Sequence, residues 1–394
     1  MPHPQSLAVS ALLTGLVALG PLSTDLYLPS LPALGQALDA PVPTVQLTLS
    51  VFLAGFAVSQ LVYGPLSDRF GRRPVLVAGV ALYLGASAIC ALAPSIDLLI
   101  AGRFLQAVGA CAGPVIARAV VRDVYGRERA AKMLAYMAMA MALAPAVGPI
   151  LGGYLTMWSG WRANFWALTA IACILLAGLV RGLRETNRHL DPTATRPDRL
   201  LRNYAMLLGD RTYIGYVAVV ACSYSGIFSF ISGSSFVFID GMGLSPELYG
   251  LCFAAIVFGY MAGTFASGRL TMRLGIDRMV LAGVITSAAG GLAMLACALA
   301  GWLTVPAVVG PFFVFMVGAG LTLPNAMAGA VGPYPLMAGL ASALLGFCQM
   351  TLAAGIGIGV GHLTDGTALP MAGAVLAVSL AAAAARLGLI RTRA

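Results

Sequence analysis

The sequence predicts an all-α membrane protein, with twelve transmembrane helices in two six-helix bundles related by pseudo-twofold symmetry. Three observations predict this fold: the composition, the recurrence of long apolar stretches, and an internal repeat. The chain has 394 residues, of which 60% are hydrophobic and 9% are charged. A soluble domain carries about 25% charged residues, so a large soluble protein with an apolar core is the disfavoured alternative.

Twelve apolar stretches are long enough to cross a bilayer, which takes about 20 residues of helix. Only helices and closed barrels satisfy their backbone hydrogen bonds in lipid, and these stretches lack the alternation of barrel strands. We therefore expect helical spans at 7–30, 45–66, 74–93, 97–121, 131–155, 162–182, 211–238, 247–270, 278–300, 303–327, 338–362 and 370–390.

The Lys and Arg residues are distributed unevenly, and such residues favour cytoplasmic loops. With a cytoplasmic N-terminus, 20 of the 23 Lys and Arg residues fall in or beside inner loops. They are Arg69, Arg72, Arg73, Arg122, Arg127, Arg129, Lys132, Arg181, Arg184, Arg188, Arg196, Arg199, Arg202, Arg211, Arg269, Arg273, Arg278, Arg386, Arg391 and Arg393. We expect both termini to be cytoplasmic, and we attribute the net charge of +9 to topology rather than to nucleic-acid binding.

A polar segment divides the spans into six plus six. We expect residues 183–210 to be a cytoplasmic linker between an N-terminal bundle, 1–182, and a C-terminal bundle, 211–394. The repeat supports this division, because residues 55–80 align without gaps on residues 259–284 at a constant offset of 204. Parallel repeats of six-helix bundles are typical of transporters that rock about a central site.

Asp25 is the acidic residue that falls well within a predicted span, where a charge costs a few kcal/mol. Arg103 lies in the fourth span at a similar depth, roughly 8–9 Å from the outer end. The two interpretations are a proton-coupling pair and a permanent salt bridge that fixes helix packing. Pro29 removes the hydrogen bond to the Asp25 carbonyl, which predicts a loosened helix or a helix end. We expect Arg118, near the inner end of its span, to extend to the interface.

Four stretches resemble the major facilitator superfamily. They are "GPLSDRFGRRP" at 64–74, "RFLQAVGA" at 103–110, "APAVGPILGG" at 144–153 and "TDLYLPSLP" at 24–32. Together with residues 46–74, they closely resemble the Bcr/CflA subfamily of twelve-span drug:proton antiporters, which export drugs such as bicyclomycin and phenicols. The resemblance is dense over 23–153 and thin over the C-terminal half, and it implies the major facilitator fold.

The loop motif at 64–74 has a role in gating in this family, since its acid is thought to help close the cytoplasmic side. The resemblance implies such a role here for Gly64, Asp68, Arg69, Gly71, Arg72 and Arg73. The alternative is that the arginines only enforce topology. The second copy of the repeat has Met272 at the position of Asp68, which predicts a gate that differs between the halves.

The stretch at 144–153 resembles the antiporter motif of the fifth span. Its members are Pro145, Gly148, Pro149, Gly152 and Gly153. Glycines let another helix approach closely and prolines bend the span, so close packing without a coupling role is the alternative.

Aromatic and Met side chains supply the apolar lining that drug pockets need. By their position in the spans, the predicted substrate contacts are Asp25, Tyr27, Gln106, Met137, Met141, Tyr224, Phe228, Phe253, Phe258 and Gln349. Each could instead face lipid or the interior of one bundle.

The leading hypothesis is a proton-coupled exporter of small amphipathic antibiotics in the bacterial inner membrane. Its expected partners are a small-molecule drug, protons and the lipid bilayer, with no nucleic acid, and the expected state is a monomer. A proton-coupled transporter of a sugar or amino acid is the alternative, and a receptor or scaffold is disfavoured. We expect no enzyme, metal or cofactor, because His3, His189 and His362 lie far apart and the spans lack a catalytic constellation.

Overall fold

The computed structural model describes residues 7–125, 127–187, 190–364 and 366–390. Twelve of the described segments are long and apolar enough to cross a membrane, as the sequence predicts. His3, Arg188, His189, Arg391 and Arg393 lie outside the described residues, as do the side chains of Arg127, Arg129, Lys132 and Arg199.

The described residues of the first half form seven helices. They are α1 (Leu7–Asp25), α2 (Leu31–Ala37), α3 (Val42–Phe70), α4 (Arg72–Leu92), α5 (Ile96–Val124), α6 (Arg127–Ser159) and α7 (Arg162–Gly182). A short 3₁₀ turn, Leu28–Ser30, joins α1 to α2, so the first span is a broken helix that continues to Ala37.

The second half holds α8 (Pro197–Gly209), α9 (Arg211–Ser235), α10 (Pro246–Leu274), α11 (Ile276–Leu299), α12 (Val305–Val331), α13 (Ala338–Leu363) and α14 (Leu369–Leu389). A π-helical turn, Phe236–Gly241, extends α9. The division of the chain at 182 and 210 into two bundles and a linker stays a prediction.

The repeat is visible in the backbone. Helices α3 and α10 are each 29 residues long and begin and end at the predicted offset of 204. Each is followed by a glycine with positive φ, Gly71 at 98° and Gly275 at 82°, a conformation that side chains rarely tolerate. We call the end of the molecule that carries Gly71 and the neighbouring arginines the arginine-rich end.

The two halves pack through two helix pairs, α3 against α13 and α6 against α10. Near the end opposite the arginine-rich end, the Gln46 side-chain amide donates to the Ser232 carbonyl at 2.9 Å. Close to it, a Cβ at Gly361 would overlap the Gln46 side chain. The halves are thus in intimate contact around the break in the first span.

Candidate proton and substrate site

Asp25 is the last residue of α1, directly before the break in the helix. Pro29 lies in the 3₁₀ turn that follows, and it has no N–H to donate to the Asp25 carbonyl. The side chain is 3% exposed, and Thr24 Oγ1 donates to its Oδ1 at 3.2 Å. Within the described residues Asp25 forms no ion pair. A buried carboxyl without a cationic partner is poised to take up a proton.

The glycines of the antiporter motif make room for this break. A Cβ at Gly148 would lie 3.1 Å from the Cβ of Asp25, and a Cβ at Gly152 would overlap the Leu26 carbonyl oxygen. On another side of α6, a Cβ at Gly153 would lie 2.6 Å from the Pro246 carbonyl oxygen of α10. Helix α6 is therefore clamped between the Asp25 segment and the other half of the molecule.

The opposing half completes this contact with a glycine of its own. A Cβ at Gly250 would lie 2.6 Å from the carbonyl oxygen of Pro149. Side chains larger than hydrogen at these positions would push α6 and α10 apart. The glycines of the motif and Pro149 thus pack both against the Asp25 segment and against α10. Pro145 lies within α6.

Two tyrosines of the C-terminal half lie within electrostatic range of the Asp25 carboxyl, Tyr224 and Tyr249. Tyr249 also shares a hydrogen bond of 2.9 Å with the Ser234 hydroxyl. Asp25 therefore lies at the boundary between the halves. The sequence predicts Tyr224 as a site residue and misses Tyr249. The signal that could have indicated Tyr249 is its position in the first turn of α10, three residues after Pro246.

The structure does not form the direct pair of Asp25 and Arg103. Arg103 donates to the Ser23 carbonyl at 2.9 Å and to the Gln106 side chain at 2.6 Å. It is fully buried. The predicted matching depth is correct along the helix, but the side chain turns into the N-terminal half, where backbone carbonyls replace the carboxylate.

Aromatic rings complete the surroundings of Arg103. Its guanidinium carbon lies 4.4 Å from the centre of the Tyr27 ring and 4.3 Å from that of Phe52. Tyr27 is itself buried and hydrogen-bonded to Thr48, and Gln106 donates to the Ser87 hydroxyl. Tyr27, Arg103 and Gln106 therefore belong to the interior of one bundle, which departs from the substrate contacts predicted for Tyr27 and Gln106.

The other predicted pocket residues divide into two groups. Phe228 is buried against Gly357, and Phe253 is buried between Phe230 and Tyr249. Met137 is buried as well. These three side chains are buried and apolar, and their contact with a substrate stays a prediction.

Phe258 lies elsewhere. It is 59% exposed and shares an exposed stripe of α10 with Leu251 and Phe265, at the spacing of a lipid-facing surface. Its predicted substrate contact is therefore not supported by its position. Met141 is partly exposed on α6, and Gln349 is half-buried on α13.

The loop motif forms an ion cluster at the arginine-rich end. Arg72 pairs with Asp68 at 2.6 Å and with Asp123, at the end of α5, at 3.2 Å. Arg72 Nη1 also donates to the Ser67 hydroxyl at 2.6 Å. The cluster joins three helices of the first half, so Arg72 has a structural role in addition to any role in topology.

Glu185, which sequence reasoning missed, caps the N-terminus of α4. Its two carboxylate oxygens accept the backbone N–H groups of Arg72 at 2.9 Å and of Arg73 at 3.0 Å. Burial pushes the pKa of Glu185 upward, but the hydrogen bonds from the backbone N–H groups outweigh burial and hold the pKa below its ordinary value. Glu185 lies 114 residues from Gly71, and no local signal marks such a long-range cap.

The segment after Glu185 continues along the loop motif. The backbone N–H of Asp191 donates to the Asp68 carbonyl at 3.1 Å, and Arg69 donates to the Thr195 hydroxyl at 2.7 Å. Arg73 donates to the Val180 carbonyl at 3.0 Å. A Cβ at Gly64 would meet nothing within 4 Å, so no steric need for that glycine is evident.

A family profile described as Major Facilitator Superfamily matches residues 13–358. The chain belongs to the major facilitator superfamily. It is a transporter-family protein, not an enzyme, and the twelve spans and the repeat are those of this fold.

Relatives support a drug-resistance branch of this superfamily. The chain is 32% identical to an uncharacterized MFS-type transporter YdgK of Bacillus subtilis, covering 99% of this chain and 97% of that one. It is 30% identical to multidrug resistance protein D of Escherichia coli, covering 85% and 83%. It is 28% identical to a bicyclomycin resistance protein homolog of Haemophilus influenzae, covering 90% and 88%. The predicted resemblance to the bicyclomycin-resistance subfamily is thereby confirmed.

A solved structure confirms the fold independently. A D-xylose-proton symporter superposes with a TM-score of 0.76, at 14% identity and covering 98% of each chain. At this identity the likeness concerns the fold alone.

Proposed function

We propose that this protein is a proton-coupled exporter of small amphipathic antibiotics of the phenicol or bicyclomycin type, working by alternating access in the bacterial inner membrane. The observation that carries the proposal is the position of Asp25: a buried acid at a helix break, held by the antiporter-motif glycines where the two halves meet. Relatives named for multidrug and bicyclomycin resistance support the class of substrate.

In the proposed cycle, the arginine-rich end faces the cytoplasm together with both termini. Asp25 takes a proton from outside, which favours release of the drug, and loses it to the cytoplasm after the bundles rock. Protonation of Asp25 must shift the equilibrium between the outward-facing and inward-facing states. The free energy of protonation must therefore differ between these two states. The contact of Asp25 with α6 supplies that difference, because α6 also packs against the opposing half. The proposed exporter acts as a monomer.

Purified protein in liposomes with an imposed pH gradient tests this proposal. We expect wild-type protein to move chloramphenicol in a gradient-dependent way, and Asp25→Asn to abolish that dependence. Asp39→Asn is the matched control, because Asp39 is exposed and its φ of 49° suits Asn. Gradient-driven transport that persists in Asp25→Asn would overturn the proposal.

The alternative is proton-coupled transport of a sugar or amino acid. This chain has the same fold as the D-xylose-proton symporter. The same liposomes distinguish the two functions, because the alternative requires gradient-driven uptake of a labelled sugar or amino acid and no movement of the drug.

A further inference from the structure

Arg118 lies deeper within its helix than the sequence predicts. Helix α5 continues to Val124, so Arg118 lies six residues, or about 9 Å, inside the end of the helix. Its side chain is exposed, and yet protein atoms surround it nearly as densely as they surround the buried Asp25. A lipid-facing side chain has protein on one side only. The combination indicates a side chain that lines an internal cavity.

The cavity opens toward the arginine-rich end. Arg122, one helical turn after Arg118 on the same side of α5, is also exposed, whereas Ala117, Ala119 and Val121 are buried. An accessible path therefore runs along this side of α5 from Arg118 to the end of the helix. In the orientation proposed above, that end is where a cytoplasmic drug would enter.

The charge of Arg118 has no acidic partner among the described residues. Its Nε donates to the Pro114 carbonyl at 2.8 Å, which fixes the side chain against its own helix. In the described part of the chain, both ion pairs belong to Arg72, so no carboxylate pairs with Arg118. Arg103, by contrast, is fully buried, and its Nη1 donates to Ser23 and Gln106 within its own half. Arg118 is therefore the exposed cation of α5 that lies furthest along this path, one helical turn further in than Arg122.

We propose that Arg118 is a selectivity residue of the proposed exporter, on whose function this inference rests. Its guanidinium favours drugs that present a carboxylate or a dense set of neutral acceptor oxygens, and it disfavours lipophilic cations. A guanidinium is planar, always charged and rich in donors, so it binds acceptor groups in a fixed direction. In surroundings of intermediate dielectric, one fixed charge shifts relative affinities for oppositely charged ligands about tenfold or more.

Initial rates in liposomes measure this selectivity with three probes: ethidium as a cation, chloramphenicol as a neutral acceptor-rich drug, and nalidixate as a carboxylate. We expect Arg118→Glu to raise the ratio of ethidium to chloramphenicol transport about tenfold. Arg118→Gln should raise it less, and Arg118→Lys should leave it near the wild-type value. Arg122→Glu is the matched control, since Arg122 lies one turn closer to the exposed end of α5, and it should change the ratio less than twofold.

A second measurement uses the wild-type protein alone. Nalidixate binding should weaken with ionic strength while chloramphenicol binding stays constant, because salt screens the Arg118 charge. Ratios that stay within twofold in both Arg118→Gln and Arg118→Glu would overturn the role of Arg118, as would salt-independent nalidixate binding if those variants fail to fold. If the wild-type protein moves none of the three probes, the proposed export function is overturned, and the role of Arg118 that rests on it is overturned as well.

Discussion

The carbonyl oxygen of Leu26 packs so closely on Gly152 that a single Cβ there would overlap it. Leu26 follows Asp25 at the break in the first span, and Gly152 belongs to the antiporter motif of α6. The motif and the acid are thus one structural unit, since the glycine permits the position of the helix break that carries the carboxyl. A movement of α6 against α10 must therefore change the packing around Asp25.

Gly152→Ala tests this unit. The added methyl cannot fit without shifting α6 from the Asp25 segment, so we expect transport to fall more than tenfold. We also expect a loss of stability of about 1–3 kcal/mol, as for other overpacked sites. Thermal unfolding in detergent and gradient-driven transport in liposomes measure the two effects.

Gly355→Ala is the control, because a Cβ at Gly355 would meet nothing within 4 Å in the middle of another span. Alanine is the better helix former, so this variant should be at least as stable as the wild type. Equal transport by Gly152→Ala and Gly355→Ala would show that the contact with Leu26 is dispensable.

Arg103 should act as a structural centre of the N-terminal half. We expect Arg103→Gln to lower the free energy of unfolding by about 3–5 kcal/mol, because it leaves buried acceptors unpaired. Arg118→Gln should cost far less, since its side chain is exposed and makes one hydrogen bond. Chemical unfolding of both variants gives the comparison. A stable Arg103→Gln that loses only proton coupling would instead support a direct role of Arg103 in that coupling.

Glu185 predicts a dependence of stability on pH at the loop motif. Its pKa is held below the ordinary value, so its contribution is present above about pH 4.5 and is lost as pH falls through the lowered folded-state pKa. The melting temperature of the wild-type protein should therefore fall further between pH 6 and pH 4 than that of Glu185→Gln, whose side chain does not titrate. An equal fall in melting temperature for the two proteins would rule out this cap as a source of the acid sensitivity.

The sequence predicts much of this arrangement because depth in the membrane follows from position along a helix. Position along the helix determines the twelve spans, the repeat at offset 204 and the place of Asp25 next to a broken helix. The close packing of Gly148 and Gly152 also follows from residue type, although the partner does not.

What the sequence misses concerns rotation about a helix axis and contacts far along the chain. Arg103 has the predicted depth but points into its own bundle, and Phe258 has the predicted depth but lies on an exposed stripe. Arg118 lies six residues from the end of α5 rather than the predicted three, because the helix continues beyond the predicted span. The cap by Glu185 depends on how the segment after α7 folds back, which no local pattern encodes.

Proton release on drug binding tests the central claim most directly. Detergent-solubilised protein in weak buffer, mixed with chloramphenicol at pH 7, should release protons that a pH-sensitive dye detects. Asp25→Asn should bind the drug and release none, while Asp39→Asn should behave as the wild type. Undiminished proton release from Asp25→Asn would show that another group couples drug to proton and would contradict the account.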